Sequence, residues 1–341
     1  MTTWLRQHDL TPARVVFLAG LLLFFGAFMI YPLAYVLKGA FWVEGKFTLL
    51  FFWLMLSEPA QWGIVLNSIN LGLIVTAATT VLSLPIAWAM VRFEFPGKGI
   101  FNGLLLVPLV LPPFVGAVGM RQMFARFGSV NLVLMDWGVI SQPIDWFGGG
   151  GMLGVVVMEV LHLYPIMYLN VASALANVDP SLEEAAKNVG ASGLRLWRRV
   201  TFPLMLPGYF AGASIVFIWA FTDLGTPLVF EYRQVVPVQI FNMLSDIHEN
   251  PTGYALVVLM VTLSVGFFYL SKSAMAGRSY QMMVRGHVAS ASKAATRWQS
   301  AAIYLFLGGL TMVALIPHAS VVLTSLAERW FLTALPSAYT G

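Results

Sequence analysis

Cysteine is absent from this 341-residue chain, and charged residues are scarce. The lack of cysteine excludes disulfides, thiolate metal sites and cysteine nucleophiles. Only 10% of the residues are charged and 59% are hydrophobic, whereas soluble domains carry about 25% charged residues. A soluble protein of this composition would have too little polar surface to cover its core. Together with a mean hydropathy of +0.80, the composition predicts an all-α integral membrane protein.

Motifs for nucleotide or metal chemistry are absent as well. The chain has no GxxxxGK[ST] loop that would hold the phosphates of ATP, and its five histidines show no HExxH spacing. We therefore expect no catalytic residue, no metal site and no cofactor, and we expect that the chain is not an enzyme. Nucleic acid is not an expected partner.

Seven stretches are long enough to cross a bilayer, which takes about 20 mostly apolar residues. They are residues 15–37, 64–91, 99–120, 152–176, 207–230, 254–275 and 301–325. Prolines interrupt several of them: Pro85, Pro108, Pro112, Pro113, Pro165 and Pro317. Each proline leaves a backbone carbonyl that neighbouring helices or water must satisfy. Such kinks favour a packed bundle with an internal path.

The lysine and arginine residues near the span ends predict the orientation. Most of them fall in the N-terminal tail and in the second, fourth and sixth loops, for example Arg92 and Arg195. We therefore expect a cytoplasmic N-terminal tail (residues 1–14) and a periplasmic C-terminus. Membrane lipid is an expected partner of the chain.

The fourth loop is the most informative segment. We call residues 179–206 the elbow. Asp179 is suited to capping a helix that has Pro180 in its first turn, and a capping box of Ser181 and Glu184 is the alternative. Gly190 is suited to ending that helix in the left-handed conformation. A second short helix is expected from about Ser192 to Pro203.

The spacing within the elbow matches a known motif. Glu184-Ala185-Ala186, then Gly190, Val200 and Phe202-Pro203 resemble the EAA loop of ABC importer permeases, with Phe202 in place of the usual leucine. Residues 15–276 resemble one six-span permease unit of the type I importer kind. The likeness is greatest to the N-terminal half of the double-length iron(III)-type permeases. Without the motif, arginines that meet anionic lipid would explain this loop equally well.

The resemblance implies partners and roles. The elbow would dock on a cytoplasmic ABC ATPase dimer, with Glu184 and Gly190 as the principal contacts. The full set of expected coupling residues is Glu183, Glu184, Ala185, Ala186, Gly190, Val200 and Pro203. A periplasmic substrate-binding protein and a second permease unit are the other implied partners. Iron(III) is the first implied substrate, and aminophosphonate, polyamine and thiamine are the alternatives.

Polar residues within spans are costly and are therefore functional candidates. Glu159 lies midway along the fourth span with His162 on the same helix face, and Asp223 lies near the outer end of the fifth. We expect Glu159, His162, Asp223 and Asn67 to be candidates for the translocation path, where carboxylates suit a cation. The alternative is a structural Glu159–His162 pair, with Asp223 as a helix cap.

The seventh span resembles the first, since Pro32, Ala34 and Val36 align with Pro317, Ala319 and Val321. The alternative is two unrelated apolar helices. Residues 277–300 are predicted to be a basic cytoplasmic linker, and residues 301–341 a seventh span with an outer tail. That segment is either the possible start of a second permease unit or an accessory helix.

An ion-coupled secondary transporter and a membrane enzyme are the alternatives to an importer permease. An ion-coupled secondary transporter should carry paired charges at the midplane in corresponding halves, and it would give the elbow no role. A membrane enzyme would need a cluster of catalytic residues. The sequence favours the importer permease over both.

Overall fold

The computed structural model describes residues 11–43, 45–148, 151–244, 252–276 and 292–340, and these are mostly helical. Six helices are long and apolar enough to cross a membrane, and a bent pair of helices makes up to seven. Contacts within the chain divide it into two units, one formed by residues 1–63 and 239–263 and the other by residues 64–238 and 264–341. The predicted helical membrane protein is confirmed.

The first unit contains the first span and its neighbours. Helices α1 (Pro12–Phe25) and α2 (Tyr31–Phe41) are joined by the π-helical segment Gly26–Ile30. A short hairpin of β1 (Trp42–Val43) and β2 (Lys46–Phe47) leads to α3 (Leu50–Ser57). Gly39 lets the ring of Tyr254 pack against α2, because a Cβ at this glycine would lie 2.5 Å from the Tyr254 Cδ2 atom.

The second unit contains the site and most of the long helices. In chain order its elements are α4 (Pro59–Arg92), β3 (Phe93–Glu94), α5 (Lys98–Leu104), α6 (Pro113–Phe124), α7 (Ser129–Asp136), α8 (Met152–Ala176), α9 (Pro180–Asn188), α10 (Gly193–Leu196), α11 (Phe202–Thr222), α12 (Gly225–Val229), α13 (Val236–Met243), α14 (Thr252–Ala276), β4 (Lys293–Ala294), α15 (Arg297–Leu326), β5 (Ala327–Arg329) and β6 (Ala338–Tyr339). Helices α4, α13 and α14 run from one unit into the other.

Helix α8 lies at the centre of this unit. It carries apolar residues around most of its circumference, which is typical of a buried helix, and Leu163, Tyr164 and Met167 are fully buried. Helix α11 approaches it closely at two glycines, since a Cβ at Gly208 would lie 2.4 Å from the Ala174 side chain. Small residues at such crossings give membrane helices the van der Waals contact that holds them together.

The third predicted span is wrong as a continuous helix. Helix α5 and the 3₁₀ turn Val107–Leu109 are followed by α6 at a bend of 94°. Pro112 and Pro113 lack the N–H groups that would bond the carbonyls four residues earlier. The freed carbonyl of Pro108 lies 2.9 Å from Nδ1 of His162 on α8, so a neighbouring helix satisfies it.

The fifth predicted span begins earlier than expected. Helix α10, the π-helical segment Trp197–Thr201 and α11 form one apolar helix, Gly193–Thr222. Pro203 therefore does not stop the second elbow helix. In the π segment the N–H of Phe202 donates to the carbonyl of Trp197, five residues back, and Pro203 then occupies the first turn of α11, where its missing N–H is tolerated.

The seventh span packs within the second unit. A Cβ at Gly119 would lie 2.5 Å from the Pro317 carbonyl oxygen, so α6 and α15 touch at a glycine. The predicted linker, residues 277–300, is only partly within the described residues, because 277–291 lie outside them. Its last part is ordered: β4 pairs with β3 in parallel, and α15 already begins at Arg297.

Candidate functional site

The first helix of the elbow, α9, has defined caps at both ends. The Asp179 carboxylate accepts a hydrogen bond from the Ser181 N–H at 2.8 Å, so Asp179 and not Ser181 is the N-cap. This bond lowers the pKa of the Asp179 carboxyl. At the other end Gly190 has φ of 89°. Its N–H donates to Lys187, and the Ala191 N–H donates to Ala186, both at 2.9 Å, which is the Schellman arrangement.

Glu183 faces the protein interior. Its Oε1 lies 2.5 Å from Arg92 Nη2 at the end of α4, and it accepts a hydrogen bond from Thr201 Oγ1 at 2.7 Å. The Glu183 and Arg92 side chains are 11% and 14% exposed. Charge-assisted hydrogen bonds of this kind are about twice as strong as neutral ones. Glu183, expected among the ATPase contacts, instead fastens α9 to α4 and to the start of α11.

The opposite face of the elbow is exposed. Glu184, Ala185 and Gly190 are exposed and Ala186 is half-buried. Val189 and Leu194 are 85% and 70% exposed. The sequence places Leu194 on an apolar stripe with Trp197 and Val200, whereas Val189 was not singled out, although its position next to Gly190 could have suggested it. Exposed apolar side chains rimmed by polar ones are typical of a protein interaction surface.

Val200 and Pro203 lie on the other side of the elbow. Val200 is half-buried in the π segment, and Pro203 is half-buried at the start of α11. Both residues lie where the elbow joins the long helix Gly193–Thr222. Neither belongs to the exposed surface formed by Glu184, Ala185 and Gly190. A cleft of about 790 Å³ opens between this junction and the end of α4, with Trp88, Trp197 and Lys187 in its walls.

A second candidate site lies at the C-terminal end of α11. Glu159 of α8 is fully buried, and neither of its carboxyl oxygens has a hydrogen-bond partner among the described residues. Asp223 and Thr226 lie beside this carboxyl. Asp223 accepts the Thr226 N–H at 2.8 Å and the Gly225 N–H at 3.3 Å, so its carboxylate satisfies the first N–H groups of α12. The cluster is thus built from α8 and the loop after α11.

The structural Glu159–His162 pair is wrong. His162 is buried, but its Nδ1 contacts Pro108 at the broken span, and its ring packs edge-on against Trp219 at 5.9 Å. Asn67 is half-buried in α4. The structure therefore brings Glu159 together with Asp223 and adds Thr226, which the sequence did not indicate. A role of these residues in the translocation path stays a prediction.

Residues 80–271 match the family of binding-protein-dependent transport system inner membrane components. The chain belongs to this family. The match includes the elbow and both members of the Glu159–Asp223 pair, and it ends before α15.

Individual relatives agree with the family. The molybdenum transport system permease protein ModB of Escherichia coli is 32% identical over 227 residues, which is 64% of this chain and 93% of ModB. The spermidine/putrescine permease protein PotB of the same species is 31% identical over 163 residues, covering 48% of this chain and 58% of PotB. A chain of a bacterial ABC transporter involved in alginate import superposes with a TM-score of 0.63 at 13% identity, covering 82% of this chain and all of that one.

Proposed function

We propose that this protein is the permease subunit of an ATP-driven importer that receives its solute from a periplasmic binding protein. A separate ATPase dimer hydrolyses ATP and docks on the elbow, and a second permease unit completes the path. The orientation of the elbow carries the proposal. Glu183 holds α9 from the inside, while Glu184, Ala185 and Gly190 are turned outward where a partner can reach them.

The elbow is joined to a long helix that can transmit its displacement through the membrane. Helix Gly193–Thr222 runs without interruption from the elbow to the residue before Asp223, a length of about 45 Å at 1.5 Å per residue. Arg92 and Thr201, through Glu183, tie α9 to α4 and to this helix. When the ATPase subunits close, displacement of the elbow is therefore carried to the region of Asp223. ATP binding favours the state in which the elbows are drawn together, and hydrolysis resets it.

For the solute we propose a cation, either iron(III), as the iron-type resemblance implies, or a polyamine, as the likeness to PotB suggests. Among the described residues Glu159 is a fully buried carboxyl, whereas the buried Glu183 is already paired with Arg92. A carboxyl in the core, with Asp223 beside it, suits a positive charge. The likeness to ModB favours an oxyanion as the second candidate, and aminophosphonate and thiamine are further alternatives from the sequence.

Uptake into proteoliposomes tests the proposal. The chain is purified with its associated subunits and reconstituted, and uptake of labelled iron(III), spermidine and molybdate is measured with loaded binding protein. We expect uptake of one solute that requires ATP and persists when ion gradients are collapsed. Uptake that needs an ion gradient and ignores ATP would favour the secondary transporter.

A further inference from the structure

The cleft between the elbow and the end of α4 has a polar end and an apolar end. Its volume is about 790 Å³, and α4, the elbow and the residues around the start of α15 form its walls. On α4 the wall runs from Leu84 through Trp88 to Arg92, a distance of about 12 Å along the helix at 1.5 Å per residue. The cleft therefore extends from the arginine that ends α4 into the apolar part of the second span.

The polar end carries two lysines that form no ion pair within the described part of the chain. Lys187 of α9 and Lys293 of β4 are both exposed, and both line the cleft. Arg92 and Glu183 also line it, but they are bonded to each other. Among the described wall residues Glu184 is the remaining carboxylate, so the two lysines leave an excess of positive charge. This end of the cleft therefore suits a negatively charged group.

The apolar end is lined by aromatic and aliphatic side chains. Trp88 is 46% exposed and Leu194 is 70% exposed, and both line the cleft together with Leu84, Pro85 and Trp197. Tryptophan is enriched where membrane proteins cross the boundary between the hydrocarbon and the headgroups. A small soluble anion would leave this end of the cleft uncovered. An anion with an attached acyl chain would cover both ends.

We propose that the cleft is a binding site for an anionic phospholipid. The phosphate lies between Lys187 and Lys293, and an acyl chain lies against Trp88 and Leu84. Basic pockets between membrane helices on the cytoplasmic side bind lipid headgroups in this way. Because Lys187 belongs to the elbow and Lys293 to the strand that precedes α15, the bound headgroup links the elbow to the seventh span. The inference rests on the proposed function, which places the elbow at the cytoplasmic surface of the membrane.

Binding of phosphatidylglycerol to the delipidated importer in detergent, measured by native mass spectrometry, tests the site. Phosphatidylcholine with the same acyl chains is the lipid control, and inorganic phosphate is the competitor. We expect Lys187→Gln and Lys293→Gln each to weaken the binding of phosphatidylglycerol about five-fold, and the double variant to weaken it further. Lys272→Gln removes an exposed lysine that does not line the cleft, and it should bind as the native protein does.

The outcomes separate the site from the proposed function. Equal affinity for the two lipids, or native affinity for phosphatidylglycerol in the double variant, would overturn the site, because a lipid that only coats the membrane helices needs neither lysine. Displacement of the lipid by inorganic phosphate would indicate a site for a free anion and would also overturn it, as would an equal loss of binding in Lys272→Gln. Co-purification of an ABC ATPase is recorded in the same preparation. Its absence, with lipid binding intact, would contradict the proposed function and leave the site standing.

Discussion

The two adjacent glutamates of the elbow have opposite environments. Glu183 is bonded to Arg92 and Thr201, while Glu184 is exposed. The helix geometry explains the difference, because consecutive residues on a helix point about 100° apart. The sequence motif identifies the pair as important but does not say which member turns inward, since that depends on where α4 ends. Glu183 therefore stabilises the elbow, and Glu184 is left for the partner.

Charge-neutralising substitutions should separate these two roles. We expect Glu183→Gln to lower the free energy of unfolding by about 1–3 kcal/mol, because Arg92 loses its charged acceptor in a mostly buried position. The matched variant Glu184→Gln should change stability by no more than about 0.5 kcal/mol and should reduce ATP-driven uptake. Thermal unfolding and uptake are measured on both. Equal loss of stability in the two variants would contradict the assignment of a structural role to Glu183 and a partner-binding role to Glu184.

Gly190 offers a second test at the residue scale. A Cβ at Gly190 would meet nothing within 4 Å in this chain, and Gly97 is matched to it, with equally open space around its Cβ position and φ of 76° against 89°. Tryptophan at either position imposes a similar backbone strain, about 1–2 kcal/mol. We expect Gly190→Trp to abolish uptake and Gly97→Trp to leave most of it, with both proteins inserted in the membrane. Equal uptake by the two variants would count against docking at Gly190.

At the scale of elements, the long spans were predictable and their interruptions were not. Residues 152–176 and 301–325 were predicted within a few residues because about 20 apolar residues in sequence suffice to define a span. The break between α5 and α6 depends on His162, from a distant helix, satisfying the carbonyl of Pro108. The extension of α11 into the elbow depends on a π-helical register. Neither condition is visible in local hydropathy.

The broken span leads to a prediction about His162. Replacing it with leucine leaves the Pro108 carbonyl without its donor, which should cost about 1–3 kcal/mol of stability. His162→Asn retains an N–H donor near the position of Nδ1 and should lose clearly less. Thermal unfolding in detergent measures both. If leucine and asparagine destabilise equally, packing against Trp219 and not the hydrogen bond explains the role of His162.

At the scale of the whole molecule, family membership agrees with the elbow, and the orientation of the ends stays a prediction. The absence of cysteine makes it directly testable, because a single introduced cysteine has no background. Thr340→Cys should react with a membrane-impermeant maleimide added outside the cell membrane. Val189→Cys, in the exposed elbow, should react only after permeabilisation. If Val189→Cys reacted from outside and Thr340→Cys only after permeabilisation, the topology would be inverted. If both cysteines reacted from the same side, an odd number of spans between the elbow and the C-terminus would be contradicted.

The central claim is that an ATPase docks on the elbow, and co-purification tests it most directly. The tagged chain is isolated from its native membrane in gentle detergent and the accompanying proteins are identified, for the native chain, for Ala185→Trp and for Gly99→Trp. Ala185 is exposed in the elbow, whereas Gly99 lies outside it with nothing within 4 Å of a Cβ. We predict that an ABC ATPase accompanies the native chain and Gly99→Trp and is lost with Ala185→Trp. An ATPase retained equally by all three, or absent from the intact native chain, would contradict the account.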